Sequence, residues 1–600
     1  MLAGDHVNQN KATTGGRAAF VRWSSLVSAA WLLAACGSGN SGDSSGAAAE
    51  QPTQEAASRF LAQSTYGPTP DAIDQLAASN YGAWFDAQFA KPQTLHRMTL
   101  DQVAADLMAV GGTISPTNFY DSFWRQAVTG DDQLRQRVTF ALSQIFVISF
   151  ADATLRNQPR GVASYYDMLG AKAFGNFRDL LEGVALHPMM GIYLSHLKNQ
   201  KEDPSTGRVP DLNFAREVTQ LFTVGQYQLN NDGSTVPGSG GSAVAAYTSA
   251  DLSGLSQVFT GWSWYAGTTT ALRTNRRFFG NDANPARDWQ PMQAYNEYAP
   301  NTSFHSISAK NFLGVAIPAQ TAPDTEGDLK IALDTLFNHP NVGPFIGRQL
   351  IQRLVSSNPS PAYVGRVAAA FNDNGAGVRG DMKALWRAIL LDPEARTVSS
   401  SPTAGKLREP VVRLAQFLRA FKATSVSGDF SGIGNTDDPA TRLNQTPMTA
   451  PSVFNFYRPG YVPTSQAISA AGVVVPELQI THDVSVAGYM NYLRSWVTMN
   501  AGRDIQQDYS AELALAETPA ALVERMNLLL FAGTLPDALR AQLVAAVTSR
   551  TLPAAVYPAG GASAPGATPT NLAAINSAKL DRVYLAVFMA MSSPDYLVQK

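Results

Sequence analysis

The chain has one cysteine in 600 residues, Cys36, which excludes a disulfide framework and any zinc or iron–sulfur site built from several cysteines. Charge is scarce as well: Asp, Glu, Lys and Arg make up 15%, against the ~25% of an ordinary soluble protein. Neither sign dominates, with 45 Lys and Arg facing 47 Asp and Glu. The basic surplus of a nucleic-acid binder is therefore missing, and no nucleic-acid partner is expected. Beyond Cys36 there is no run of 18 or more apolar residues, so no later membrane-spanning helix is expected. Neither a Walker lysine loop nor an H-E-x-x-H pair occurs. Gly37–Gly42 spells G-x-G-x-x-G, but it follows no strand and opens no helix, so it is not read as a nucleotide site. Seven histidines lie scattered along the chain, and no cofactor or metal is expected. What the sequence does hold is apolar surface. Hydrophobic residues make up 45% of the chain and aromatics 10%, enough for a sizeable core and incompatible with wholesale disorder.

The N-terminus carries an address. Lys11, Arg17 and Arg22 precede an apolar stretch from Trp23 to Ala35, which stops at Cys36. A basic region, a short apolar region and small residues before a cut describe an export signal, too short for a stable spanning helix. The cysteine directly after Leu33-Ala34-Ala35 fits a bacterial lipoprotein signal, with residues 1–35 removed and Cys36 acylated. Acyl chains on Cys36 would hold the protein to a lipid bilayer at about 0.8 kcal/mol per buried CH₂. Residues 36–54, rich in Gly, Ser and Ala, read as a flexible tether. Gly37, rather than Asp, follows the cysteine, so the expected location is the cell envelope, at the outer membrane.

From residue 55 onward the pattern is helical. Thr69-Pro70-Asp71 supplies an N-cap, an N1 proline and a first-turn acid. Apolar residues recur at helical spacing over Asp131–Ser149, then at Phe177, Leu180, Leu181 and Val184, and at Leu350, Ile351, Leu354 and Val355. The same spacing returns at Leu414, Phe417, Leu418 and Phe421, and near the C-terminus over 522–531 and 580–591. Strand signals are few; Asp232-Gly233 could turn one small hairpin. Three segments break the helical pattern: a Gly/Ser-rich loop at 231–250, an aromatic-rich segment at 262–305, and a Gly/Pro/Asn-rich segment at 425–480. Long ordered loops are frequently functional. Their aromatics, Trp262 among them, either form a stacking platform for a ligand or pin the loops to a helical body.

Several polar residues stand out as candidates. Asn213, Arg216, Glu217 and Gln220 fall at i, i+3, i+4 and i+7, on one stripe of a helix whose other side carries Phe214, Val218, Leu221 and Phe222. That stripe is a solvated face, an internal Arg–Glu lock, or a cleft with Glu217 as acid or base and Arg216 as an anion clamp. Low overall charge favours a Glu217 that is buried and paired. His187 ends an apolar stripe at a helix C-terminus, and His305 closes the aromatic segment. Arg408, in Lys406-Leu-Arg-Glu-Pro410, is placed to pair with the helix that Pro410 starts. Arg458 lies in an aromatic run, where it either stacks or meets an anion.

Seven segments in order, Ala57–Thr69, Leu134–Gln144, Asn213–Glu217, Phe259–Trp262, Asn338–Gly343, Lys406–Pro410 and Pro451–Phe456, resemble a large family of exported bacterial proteins, domain of unknown function 1800. The resemblance runs from about residue 55 to 480 and on to the C-terminus. It implies a mostly helical exported protein, often encoded beside a second exported protein that is a candidate partner. It brings no established reaction and no catalytic residues.

The expectation is thus a mainly α, multi-helix body over 55–600 with long aromatic and Gly/Pro-rich loops and at most a small hairpin. A two-lobed body would divide near 425–480. Two functions fit: an envelope lipoprotein that binds or assembles another extracellular component, or an envelope hydrolase or lyase acting on an extracellular polymer through an acid/base glutamate.

Overall fold

Alternating helices, stopped by capped turns, build the body. The computed structural model describes residues 44–600 except 270–272, 281–285, 297–302, 465, 499–502 and 558–566. Cys36 and the signal segment lie outside the described residues. Asp43–Lys600 form one unit, mainly α, with short antiparallel two-stranded pairs among the described residues. Within the stretch read as tether, Ser44–Ala49 coil into a helix against the Tyr81–Ala90 helix. Three consecutive alanines, the best helix formers, explain that turn.

The local signals act as expected at several ends. Thr69 accepts a hydrogen bond from the Ala72 amide at the start of Pro70–Ala77. Phe177–Leu186, Val342–Leu354, Pro410–Ala420 and Leu572–Ser592 are helices. One differs: the helix expected through Ser149 stops at Ser143. Beyond it the backbone turns to tertiary partners, with the Tyr165 hydroxyl donating to the Phe146 carbonyl and the Phe150 amide donating to that of Met448. Ile145 and Phe146 remain buried, so helical spacing marked burial correctly while the chain left the helix. The Asp232-Gly233 turn forms a narrow hairpin-like loop held by isolated bridges such as Leu229 to Thr235.

One hydrophobic core runs from Ala57 to Tyr596. The aromatic segment keeps a small cluster of its own, in which Phe278 stacks on Phe304 at 3.7 Å. Its Trp289 carries the Arg97 guanidinium at 3.9 Å, and Trp262 pairs with Ala294 in a two-stranded ribbon. These aromatics fasten loop to body. At the C-terminus, Val598–Gln599 pairs with Lys406–Leu407, which brings the chain end beneath the cavity described next.

Candidate functional site

The Val342–Leu354 helix presents Arg348, Gln349, Gln352 and Arg353 at i, i+1, i+4 and i+5, a single polar stripe opposite Leu350, Ile351 and Leu354. Two loops fold over that stripe. The first, after the Asn213–Gln220 helix, is clamped by Asn341, whose side-chain amide donates to the carbonyls of Val224 and Tyr227 at 2.8 Å each. Asn341 also accepts from the Leu229 amide at 3.0 Å. Gly225 is required in this loop: its φ is +78°, and a Cβ there would sit 2.9 Å from the Phe345 ring. The second loop, around 453–462, carries Phe454 and Arg458. Asn455 between them has φ 65°, a left-handed conformation that asparagine tolerates better than most side chains.

Stripe and loops border an open cavity of about 820 Å³, within the ~300–1,000 Å³ typical of small-ligand sites. Its wall holds three arginines (Arg348, Arg353 and Arg458) and five glutamines (Gln144, Gln220, Gln226, Gln349 and Gln352). None of the described lining residues is Asp, Glu or His. Arg348 and Arg458 are exposed and have no carboxylate partner among the described residues; the Arg458 guanidinium lies 5.0 Å over the Phe454 ring. Tyr227 and Phe454 stand half-open at the rim.

Beneath the floor lies a charge cluster closed to solvent. Arg353 donates to the carbonyls of Gln349 and Gln144 at 3.0 and 2.9 Å, while its own carbonyl accepts from Arg137 at 2.7 Å and from Lys406 Nζ at 2.9 Å. Lys406 Nζ lies 3.1 Å from Glu477 and 3.8 Å from Glu409. Glu409 accepts from the side-chain amides of Gln144 and Gln445. Burial pushes both carboxyls up. For Glu409 the Lys406 and Arg137 charges outweigh it and hold the group below its usual value, whereas Glu477 stays raised.

The residues singled out from sequence separate widely. Glu217 is buried, as expected, yet it has no ion pair among the described residues, and its Oε2 has no hydrogen-bond partner. The expected charge pairing is absent because Arg216 points to the surface. Burial raises the Glu217 pKa, and the Arg216 charge only partly offsets it. Asn213 and Arg216 border a separate shallow cleft with Lys198 and Asp211; Gln220, one turn on from Glu217, reaches the 820 Å³ cavity. His187 caps the Pro188–Tyr193 helix through its Nδ1, with Nε2 3.0 Å from the Ser164 hydroxyl, and burial lowers its pKa to about 3. His305 is sealed between the Thr260 carbonyl at 2.8 Å and Asp328 at 2.9 Å. Arg408 is buried just before the Pro410–Ala420 helix, with its guanidinium 4.7 Å over Tyr596; its carbonyl accepts from Arg413 of that helix at 2.7 Å, while its side chain turns to Tyr596 and the Leu530 carbonyl. Trp262 is buried in its ribbon. Of the candidates, Gln220 and Arg458 line the cavity.

The stripe at 348–353 was in plain view in the sequence, but its neighbours Leu350, Ile351 and Leu354 speak only for a helix packed on one side. No group of three or more His, Cys, Asp or Glu among the described residues is placed to hold a metal.

Because Glu217 pays for burial without a partner, Glu217→Gln is expected to stabilise the protein by about 1 kcal/mol at pH 8. A raised folded pKa makes the carboxylate a cost that is absent below the unfolded value of about 4.3, grows as pH rises from there to the folded value and is fully present above it. The gain should therefore disappear near pH 4. Urea denaturation at the two pH values reads it, and equal stability of both proteins at pH 8 would show that Glu217 is solvated.

Fold and cavity together define a mainly helical protein with an open pocket lined by arginine, glutamine and apolar residues. The chain belongs to the family described as "Protein of unknown function (DUF1800)", whose model matches residues 59–598. No curated protein and no solved structure matches it.

Proposed function

We propose that this is an exported envelope protein, lipid-anchored through Cys36 at the outer membrane, whose helical body binds an anionic extracellular component in the 820 Å³ cavity. The observation that carries this reading is the wall: three guanidiniums and no carboxylate. Arg348 and Arg458 have no ion-pair partner among the described residues, and a bound acid would pair them.

The hydrolase or lyase reading through Glu217 has less support. Glu217 is not among the lining residues, and the described wall offers no Asp, Glu or His for proton transfer near neutral pH.

Two measurements test the proposal. Cys36→Ala should abolish labelling by an acyl-chain probe and release the protein from the membrane fraction; unchanged labelling would remove the anchor. At physiological salt, immobilised pectate, dextran sulfate or polyglutamate should retain the protein. The double variant Arg348→Glu/Arg458→Glu should lose that retention, while Arg494→Glu, an exposed arginine outside the cavity, should keep it. Equal loss in both variants would mean that overall charge, and not the cavity, holds the polymer.

A further inference from the structure

Resting on the anion-binding reading of the cavity, we infer that its ligand is an amphiphilic acid: an apolar chain or ring system that ends in one carboxylate or phosphate. What a ligand can touch decides its chemistry. Gln144, Gln349, Gln352 and Arg353 are buried and back the cavity rather than form its open surface. Of the lining side chains that keep surface open, nine are apolar or aromatic and five are polar. The polar ones are Gln220, Gln226, Thr235 and the two arginines, Arg348 and Arg458.

Apolar surface held open to water is costly, and here it is gathered on one cavity. Tyr227, Phe454 and Val462 are 46%, 38% and 41% exposed, and all three border it. Leu221, Leu229 and Phe345 are half-buried and belong to the same wall. A bare oxyanion would pair the arginines and leave that wall wet. An apolar chain or ring removes it from water, which favours binding in proportion to the area covered.

The charged end has a place beside that wall. Arg348 lies one turn along the Val342–Leu354 helix from Phe345, on the same side. The Arg458 guanidinium lies 5.0 Å over the Phe454 ring. Each exposed cation thus adjoins an aromatic ring, and neither has an ion-pair partner among the described residues. A carboxylate or phosphate seated on either guanidinium leaves its apolar body against the neighbouring ring. The same chemistry comes from a free acid or from an acidic lipid taken out of a bilayer, and the probes separate these two sources.

Residues 43–600, the single unit that holds the whole described core, are titrated by calorimetry without detergent. The probes are decanoate, decyl phosphate, decanol, acetate and inorganic phosphate. Decanoate or decyl phosphate should bind, with decanol and the chainless anions each at least about tenfold weaker, the equivalent of ~1.4 kcal/mol. Arg348→Ala and Arg458→Ala, at exposed positions, should each bring decanoate towards decanol; Phe454→Ser should weaken both alike. After incubation with phosphatidylglycerol vesicles and their removal, lipid retained by the protein would mark the bilayer as the source, and decanoate binding without it a free acid. Acetate or phosphate bound as tightly as its decyl counterpart would overturn the amphiphile while the anion reading stands. Equal binding of decanol and decanoate by the unmodified protein would overturn the anion reading and the amphiphilic acid with it. Silence from every probe would overturn the amphiphilic acid, and retention on the immobilised polyanions then decides the anion reading separately.

Discussion

Glu409→Gln is expected to cost about 3–5 kcal/mol of folding stability, although the two side chains have nearly the same shape. In the native protein the Glu409 carboxylate is sealed from solvent, accepts from Gln144 and Gln445, and faces Lys406 at 3.8 Å. Without that charge, Lys406 would keep only Glu477, at 3.1 Å, as an ion-pair partner. Breaking a buried pair from one side leaves the remaining charge desolvated and uncompensated, which is why the cost exceeds that of a lost hydrogen bond. The urea midpoint should fall with an unchanged slope. The sign with pH follows from the depressed Glu409 pKa: its stabilisation is present above the unfolded value of about 4.3 and is lost as pH falls through the folded value. The gap between unmodified and substituted protein should therefore close in acid. A loss under about 1 kcal/mol at pH 7 would mean that water reaches the cluster.

Asp328→Asn should be comparably damaging, at about 3–5 kcal/mol, for a different reason. Here one carboxylate serves two partners: His305 Nε2 at 2.9 Å and Lys310 Nζ at 2.8 Å, all three side chains closed to solvent. Lys310 would retain hydrogen bonds only to the Ser308 carbonyl and the Gln320 side chain, both at 3.2 Å, and would be a buried ammonium without an ion-pair partner among the described residues. Asp328 fastens the Lys310–Phe312 and Val315–Ile317 ribbon to the Thr325–Asn338 helix. Amide exchange in that ribbon should consequently accelerate before the rest of the body opens. Burial pushes the Asp328 pKa up, but hydrogen bonds from His305 and Lys310 outweigh it and hold the group below its usual value. This stabilisation too is present above the unfolded value of about 3.9 and fades as pH falls through the folded one. The same geometry makes His305 a positioning element of the fold: both ring nitrogens are engaged by protein atoms, and neither faces a cavity wall described above.

Helices, caps and the mainly α class were legible along the chain because each depends on residues within a few positions of one another. Thr69 and Pro70 start a helix by local bonding alone, and Phe177, Leu180, Leu181 and Val184 mark their buried side by period. Arg458 was legible as a candidate because an arginine inside an aromatic run has few bland explanations. The burial of Glu217 followed from scarce charge. Its missing partner did not, since the direction of Arg216 depends on which neighbouring elements cover the helix.

The polar stripe of the Val342–Leu354 helix shows where local reading ends. Arg348, Gln349, Gln352 and Arg353 have the same spacing as any solvated helix face, and nothing within ten residues distinguishes a floor from a surface. Asn341, more than a hundred residues from the loop it clamps, and the segment around Phe454 to Tyr461 roof that stripe into a cavity. Sequence alone determined the helical class, the family and the start of the Pro70–Ala77 helix, because backbone hydrogen bonds and apolar periodicity are short-range. Only the tertiary structure decided which arginines stand unpaired at a ligand wall and which charges lie sealed beneath it, because desolvation and Coulomb energy depend on what is near in space, not on what is near in the chain.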